Sequence, residues 1–279
     1  MKYIILFFLL WISNIFAETA INTIKPTKVV VYKSTKKGDL TQHVFLPEGH
    51  QVGDKRTAVV CFHGGGWSKG SPMQFYTHAQ TLAAKGAVVF CTEYRLTKSH
   101  KTTPIDAVQD AQSSIIWVRE NATQWGVDPD KIVAMGGSAG GHLTACTALV
   151  ENKNETSPVP NAMVLFNPVI DTTKKGYGMS RFPSGKHLDY SPCHLVKKGV
   201  PPTIVMHGTA DEIVPYENAE RFTKLMKKAG NDCTLITYPD AGHSFFNSKF
   251  YRPSLKDETT YESTVKEMIK FLTEKELLK

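Results

Sequence analysis

Ile132-Val-Ala-Met-Gly136-Gly-Ser138-Ala-Gly140-Gly-His142 is the stretch whose reading decides the fold. Ile132 to Met135 is a short apolar run that predicts a buried strand. Gly136-x-Ser138-x-Gly140 then predicts a tight turn, and the small residues from Gly141 to Val150 predict a helix. A serine on so sharp a strand-to-helix turn is pushed out of the sheet, and its hydroxyl stands exposed at the strand's C-terminal end. Side chains at positions 136 and 140 would crowd the neighbouring backbone, and the turn calls for φ values that glycine tolerates. Taken alone the motif is equally a plain turn. Its chemistry depends on which other loops the fold brings to it.

Working outward, the pattern is one of strands alternating with helices. Two β-like runs, Lys28 to Tyr32 and Leu40 to Leu46, precede the strand Thr57 to Phe62, a near-continuous apolar segment of the kind buried on both faces of a sheet. A helix over Met73 to Lys85 closed by Gly86, a strand Ala87 to Cys91, and a helix over Ile105 to Asn121 follow. Beyond the central serine come strands at Ala162 to Phe166, Thr203 to Met206 and Cys233 to Tyr238. Helices are expected at Tyr216 to Ala229 and from about Thr259 to Leu278. This alternation predicts an α/β fold, a mostly parallel central sheet with helices on both faces. No repeat or linker divides the chain, so residues 18–279 read as a single domain. Lys174 to Ser191, the longest stretch without a period, is expected to lie over the site.

Composition narrows the functional classes. Of 279 residues 41% are hydrophobic and 21% charged, enough for a packed core. The net charge of +7 is spread among acids without a basic stripe interleaved with aromatics, which argues against nucleic-acid binding. Residues 1–17 carry Lys2, an apolar run from Tyr3 to Ile12 and the small residue Ala17, the pattern of a secretory signal peptide. The expected location is therefore secreted or periplasmic, with no stable membrane association after its removal. The five cysteines show no metal-type spacing, and no cofactor motif is present. Cys61, Cys91 and Cys146 read as buried hydrophobes, whereas Cys193 and Cys233 lie near segment ends where a pairing is open.

Three loops at strand C-terminal ends, where open α/β sheets place their sites, carry the candidate chemistry. His63-Gly64-Gly65-Gly66 lets backbone N–H groups approach a substrate, and Gly64, Gly65 and Ala139 are the expected oxyanion donors. A serine nucleophile also needs a base and a carboxylate to hold the base's tautomer. His243, in the loop Ala241-Gly-His-Ser244 after the last strand, is the expected base. His207 is read as shaping its turn, His142 as packed or capping, and His63 as ordering the glycine loop. Asp211, Asp171, Asp240 and Glu212 compete for the acid. Asp240 is too near His243 in sequence to reach behind its ring, Asp171 is the reserve, and Asp211 fits the order Ser, Asp, His. Trp67, Tyr94 and Phe245 are expected to line the pocket.

With these motifs in this order the chain resembles the α/β-hydrolases, in particular the esterase/lipase group with a His-Gly-Gly-Gly oxyanion loop. It is similar to the carbohydrate-esterase and feruloyl-esterase-like members. The resemblance runs from Thr57 to the C-terminus on His63 to Trp67, Gly136 to Gly140, His207 to Asp211 and Gly242-His243. It implies Ser138 as nucleophile, His243 as base, Asp211 as its partner, and Gly64, Gly65 and Ala139 as oxyanion donors. It also implies a secreted esterase acting on a small-molecule or polysaccharide ester, short-chain acetyl esters of carbohydrates first. A feruloyl or general carboxylesterase is the nearest alternative. The long helical N-terminal cap of many lipase-like members is missing, which argues against a deep lipid pocket. A prolyl-oligopeptidase-like peptidase shares the hydrolase domain, but its extra β-propeller does not fit this length. An inactive binding module on the same scaffold has no chemical need for all three of Ser138, Asp211 and His243.

Overall fold

The computed structural model describes residues 23–279; the expected signal peptide, residues 1–17, lies outside the described residues. One eight-stranded sheet organises the chain, in the order β1-β2-β4-β3-β5-β6-β7-β8. β1 (Lys28–Thr35) and β2 (Gly38–Phe45) form an antiparallel hairpin, and β2 lies antiparallel on β4 (Val88–Thr92). β3 (Arg56–Phe62), β4, β5 (Val127–Gly137), β6 (Ala162–Phe166), β7 (Thr203–Gly208) and β8 (Cys233–Tyr238) are parallel neighbours. From β3 the chain moves outward to β4 and then returns to the other side of β3 as β5. Strand order thus reverses beside β3 and β5, and the crevice at their C-terminal ends is where such sheets open a site.

The central strands are apolar where both faces are covered, as over Ala58–Phe62 of β3, Ile132–Met135 of β5 and all of β6. In β3, Val59 and Cys61 pack with Ala79 and Leu82 of α1 (Tyr76–Ala84) and Met268 and Phe271 of α7 (Thr259–Glu274). The alternate residues Ala58, Val60 and Phe62 pack with Ala107, Ala111 and Ile115 of α3 (Pro104–Glu120) and Leu143 of α4 (Ala139–Leu149). Phe222 and Met226 of α6 (Tyr216–Lys228) cover Met163, Leu165 and Val205. Each fully buried side chain of this size contributes about 1.5–3 kcal/mol. α2 (Thr97–His100) and α5 (Pro192–Leu195) are single turns that no hydrophobic period announced.

Three boundaries differ from the sequence expectation for local reasons. The helix expected from Met73 begins as a 3₁₀ turn, Pro72–Phe75, because Ser71 Oγ accepts the Met73 N–H and Pro72 fixes the first position. α3 starts at Pro104, where Thr103 and Asp106 make a reciprocal capping box. α7 ends at Glu274 rather than Leu278 because Glu276 turns left-handed (φ 57°). The chain folds back there, and Leu277 and Leu278 enter the core with both N–H groups on Leu272 O. Cys193 and Cys233 form no disulfide. Both are buried free thiols, pushed up to about 12 and about 11 by burial.

Candidate active site

Each candidate side chain stands at the C-terminal end of a parallel strand. Ser138 caps β5 with φ 55° and ψ −118°, a strained position for a residue with a side chain, costing about 1–3 kcal/mol. The backbone N–H of Ser138 donates to Phe166 O, and its carbonyl accepts from Val169 N–H and His142 N–H, so the neighbouring strand end and α4 hold the strain in place. The flanking glycines serve by size rather than by φ. A Cβ on Gly136 would sit 2.3 Å from Gly140 O, and one on Gly140 would sit 1.9 Å from Phe62 O. The expected left-handed glycine is absent from this turn; the serine itself takes the positive φ.

His243 reaches Ser138 from the loop after β8. Its Nε2 lies 3.0 Å from Ser138 Oγ, and its Nδ1 lies 2.8 Å from Asp211 Oδ2. With the proton on Nδ1, the imidazole donates to the carboxylate and leaves Nε2 to accept from the serine hydroxyl. Asp211 follows β7 and is almost fully buried. Burial alone would raise its pKa. Hydrogen bonds from His207, from His243 and from the Val214 N–H outweigh that and hold the carboxyl well below the usual range. His207 therefore does more than shape a turn: its Nε2 lies 3.2 Å from Asp211 Oδ2 and 3.0 Å from Val214 O.

The reserve acid, Asp171, is committed elsewhere. Its Oδ2 accepts from Arg221 Nη1 at 2.6 Å, and its Oδ1 accepts the Thr173 N–H. His142 is fully buried in α4, contacts Tyr190 O at 2.7 Å through Nε2, and is pushed down to about 4 by burial. His63 lies inside the glycine loop, its Nδ1 2.7 Å from Gly64 O, its ring stacked on Tyr94.

A solvent-open cavity of about 460 Å³ runs past Ser138 and His243, with the three loop glycines along one wall. One expected oxyanion donor is corrected here. The Gly64 N–H is already taken at 2.6 Å by Gln74 Oε1. Gly65 and Gly66 donate to no protein acceptor among the described residues, and Ala139 opens α4, where a first-turn N–H has no helical partner. A Cβ at position 65 would stand 2.0 Å from Lys69 O, so the loop can close only on glycine. The expected pocket aromatics are corrected as well. Trp67 is fully buried against His142 and Phe182. Tyr94 is buried with its hydroxyl donating to His63 O at 2.7 Å, so it braces the glycine loop from behind. Phe245 packs on Tyr238, while its neighbour Phe246 lines the cavity.

Three residues were missed in the sequence. Gln74 Nε2 donates to Asn247 Oδ1 at 2.9 Å, and Asn247 Nδ2 donates to Ser244 O at 2.8 Å, which ties the glycine loop to the loop that carries His243. The Asn167 amide nitrogen lies 3.2 and 3.3 Å from the two His243 ring nitrogens. Gln74 stands one turn before a helix and Asn167 just after β6, positions that carry no motif.

Residues 43–182 match the family model described as BD-FAE, and residues 180–252 match the model described as Phospholipase/Carboxylesterase. The chain belongs to the α/β-hydrolase esterases. Among solved members of these esterases, esterase 2 of Thermogutta terrifontis in its apo form is 40% identical. The likeness covers 90% of this chain and 96% of that one, with a TM-score of 0.84. An acetylxylan esterase of Xylanibacter ruminicola is 28% identical over 72% of this chain and 42% of its own length. A probable isoprenylcysteine alpha-carbonyl methylesterase of Oryza sativa is 31% identical over 68% of this chain and 52% of its own. The chain spans about half the length of the curated relatives that it matches first.

Proposed function

We propose that this chain is a serine carboxylesterase that hydrolyses short-chain acyl esters, acetyl esters of carbohydrates first, through an acyl-enzyme. The observation that carries the reading is the relay Ser138–His243–Asp211, with steps of 3.0 and 2.8 Å, opening on a cavity lined by glycine backbone. Ser138 Oγ attacks the ester carbonyl carbon while its proton passes to His243 Nε2. The carbonyl oxygen becomes an oxyanion at the N–H groups of Ala139 and the Gly65–Gly66 segment. Collapse breaks the bond to the alcohol oxygen, which takes the proton from His243 and leaves. Water then attacks the acyl-serine and gives a proton to His243. The second collapse releases the carboxylic acid and returns that proton to Ser138. Asp211 stays ionised throughout and balances the imidazolium.

The short-chain preference rests on relatives. Esterase 2 of Thermogutta terrifontis has been solved with propionate and with butyrate bound, and one curated relative is an acetylxylan esterase. Action outside the cytoplasm, secreted or periplasmic, belongs to the proposal through the apolar residues 3–12. Incubation with a fluorophosphonate, followed by peptide mapping, tests the mechanism. Stoichiometric labelling at Ser138 is expected, in keeping with the phosphonylation of the Thermogutta esterase by sarin. A folded sample that does not label would instead be an inactive module. Comparison of acetyl, feruloyl and longer acyl esters then tests the substrate class, with acetyl expected to have the highest kcat/KM.

A further inference from the structure

The cavity beside Ser138 is lined by three cationic side chains, Lys69, Arg181 and Arg252, and by no carboxylate. Over the whole chain 33 basic residues face 26 acidic ones, so a solvated surface sampled at random would mix the two signs. Among the described residues none of the three cations is paired with an acid. Asp211, the nearest buried carboxylate of the relay, stands behind His243 and outside the lining.

The cation best held in place is Arg181. Its Nη1 donates to Gly66 O at 2.9 Å, its Nη2 donates to the Tyr177 hydroxyl at 3.0 Å, and its guanidinium lies over the Tyr177 ring. The Tyr177–Arg181 pair is thereby docked on the glycine loop, and a Cβ at position 66 would meet both side chains. These contacts use only part of a group with five N–H donors in a planar fork, the geometry that suits a carboxylate. Lys69 and Arg252 bring two further positive charges to the same cavity from opposite segments, one from the glycine loop and one from beyond His243.

We infer that the substrates this site favours are esters that themselves bear a negative charge, a carboxylate on the acyl part or on the alcohol part beside the scissile bond. The inference rests on the serine-esterase reading above and names the substrate class of that same site. A cleft of one sign concentrates ligands of the other and raises kcat/KM through the encounter step, by about tenfold or more at low ionic strength. The three side chains are solvent-exposed, so the preference is salt-sensitive and fades at about 1 M salt, where the Debye length is about 3 Å.

Two matched pairs of esters separate the sources of charge. The acyl arm compares the mono-4-nitrophenyl ester of glutaric acid with the 4-nitrophenyl ester of pentanoic acid, which share a leaving group and a chain length. The alcohol arm compares acetylated methyl glucuronoside with acetylated methyl glucoside. At low ionic strength the charged member of at least one pair is expected to show about tenfold higher kcat/KM, falling towards parity in high salt. The double variant Lys69→Gln, Arg252→Gln, which leaves the Arg181 contacts intact, should lower that ratio by about threefold or more, since two of the three charges are gone. Hydrolysis of the neutral esters with ratios at or below one in both arms, or with ratios indifferent to salt, overturns the inference and leaves the esterase reading standing. Hydrolysis of no ester at all, with no labelling of Ser138, overturns both.

Discussion

Replacement of Gln74 by leucine tests whether the glycine loop and the histidine loop are held as one unit. Gln74 is buried and makes two hydrogen bonds, accepting from Gly64 N–H at 2.6 Å and donating to Asn247 Oδ1 at 2.9 Å. Leucine of similar volume fills the space but strands both partners, each at a cost of about 1–3 kcal/mol. Gln74 and Gly64 border the open cavity, so water can reach the stranded groups, and the low end of that range applies to both. The total is about 2 kcal/mol, which lowers Tm by about 4–8 °C in a domain of this size. Catalysis should lose more than stability. The bond holds Gly64 one residue from the open donor at Gly65, and displacement of a catalytic group by an ångström costs about 100-fold. The expected result is a kcat lower by about 10- to 100-fold with KM changed much less, because the oxyanion forms only in the transition state. Gln74→Glu keeps the acceptor for Gly64 but sets a carboxylate oxygen against Asn247 Oδ1, so the tie to the histidine loop is lost and only part of kcat should return. Steady-state kinetics on a 4-nitrophenyl ester, with a thermal melt on the same samples, reads both effects. A Gln74→Leu enzyme with wild-type kcat would refute the coupling, whatever its Tm.

Ser138→Ala should reduce turnover by about 10⁶-fold. Asp211→Asn should cost about 10⁴-fold by favouring the wrong histidine tautomer, whereas Asp171→Asn, which breaks the Arg221 pair instead, should lower Tm and spare kcat. His63, His78 and His142 are buried and neutral, with pKa values pushed by burial to about 4, about 3 and about 4. Their folded values lie below the unfolded 6.5, so their stabilisation is complete above pH 6.5. It is lost as pH falls towards 4, at about 1.4 kcal/mol per pH unit for each. Urea midpoints should therefore drop steeply between pH 6.5 and 4.5, and a flat profile there would contradict the buried assignment. Gly140→Ala would drive a Cβ into Phe62 O and should leave little folded protein in the soluble fraction, since the obstacle is backbone that cannot rotate away.

Fold class, Ser138 and His243 were legible along the chain, and Asp211 was favoured among four acids by its order, while the 2.8 Å contact to His243 Nδ1 separated it from Asp171. Strand segments buried on both faces must be apolar, so β3, β4, β6, β7 and the second half of β5 are legible as runs. The glycine loop, Ser138 and Asp211 follow such runs, whereas His243 follows the half-exposed edge strand β8. Glycine is demanded wherever backbone passes backbone, which made residues 64–66 and 136–140 conspicuous. Tertiary structure decided what those loops present to a ligand. Trp67 and Tyr94 looked like pocket residues because they flank the motifs, yet a buried ring and a bracing ring read identically along the chain. Gly64 looked like a donor until Gln74, ten residues on, was seen to occupy its N–H. The cations of the cavity come from three segments about seventy or more residues apart, and only the closure of the parallel sheet sets them around one serine. Periodicity and steric need are properties of neighbours along the chain, whereas partnership of a polar group is a property of neighbours in space. That difference is why Ser138 could be found by reading and Gln74 could not.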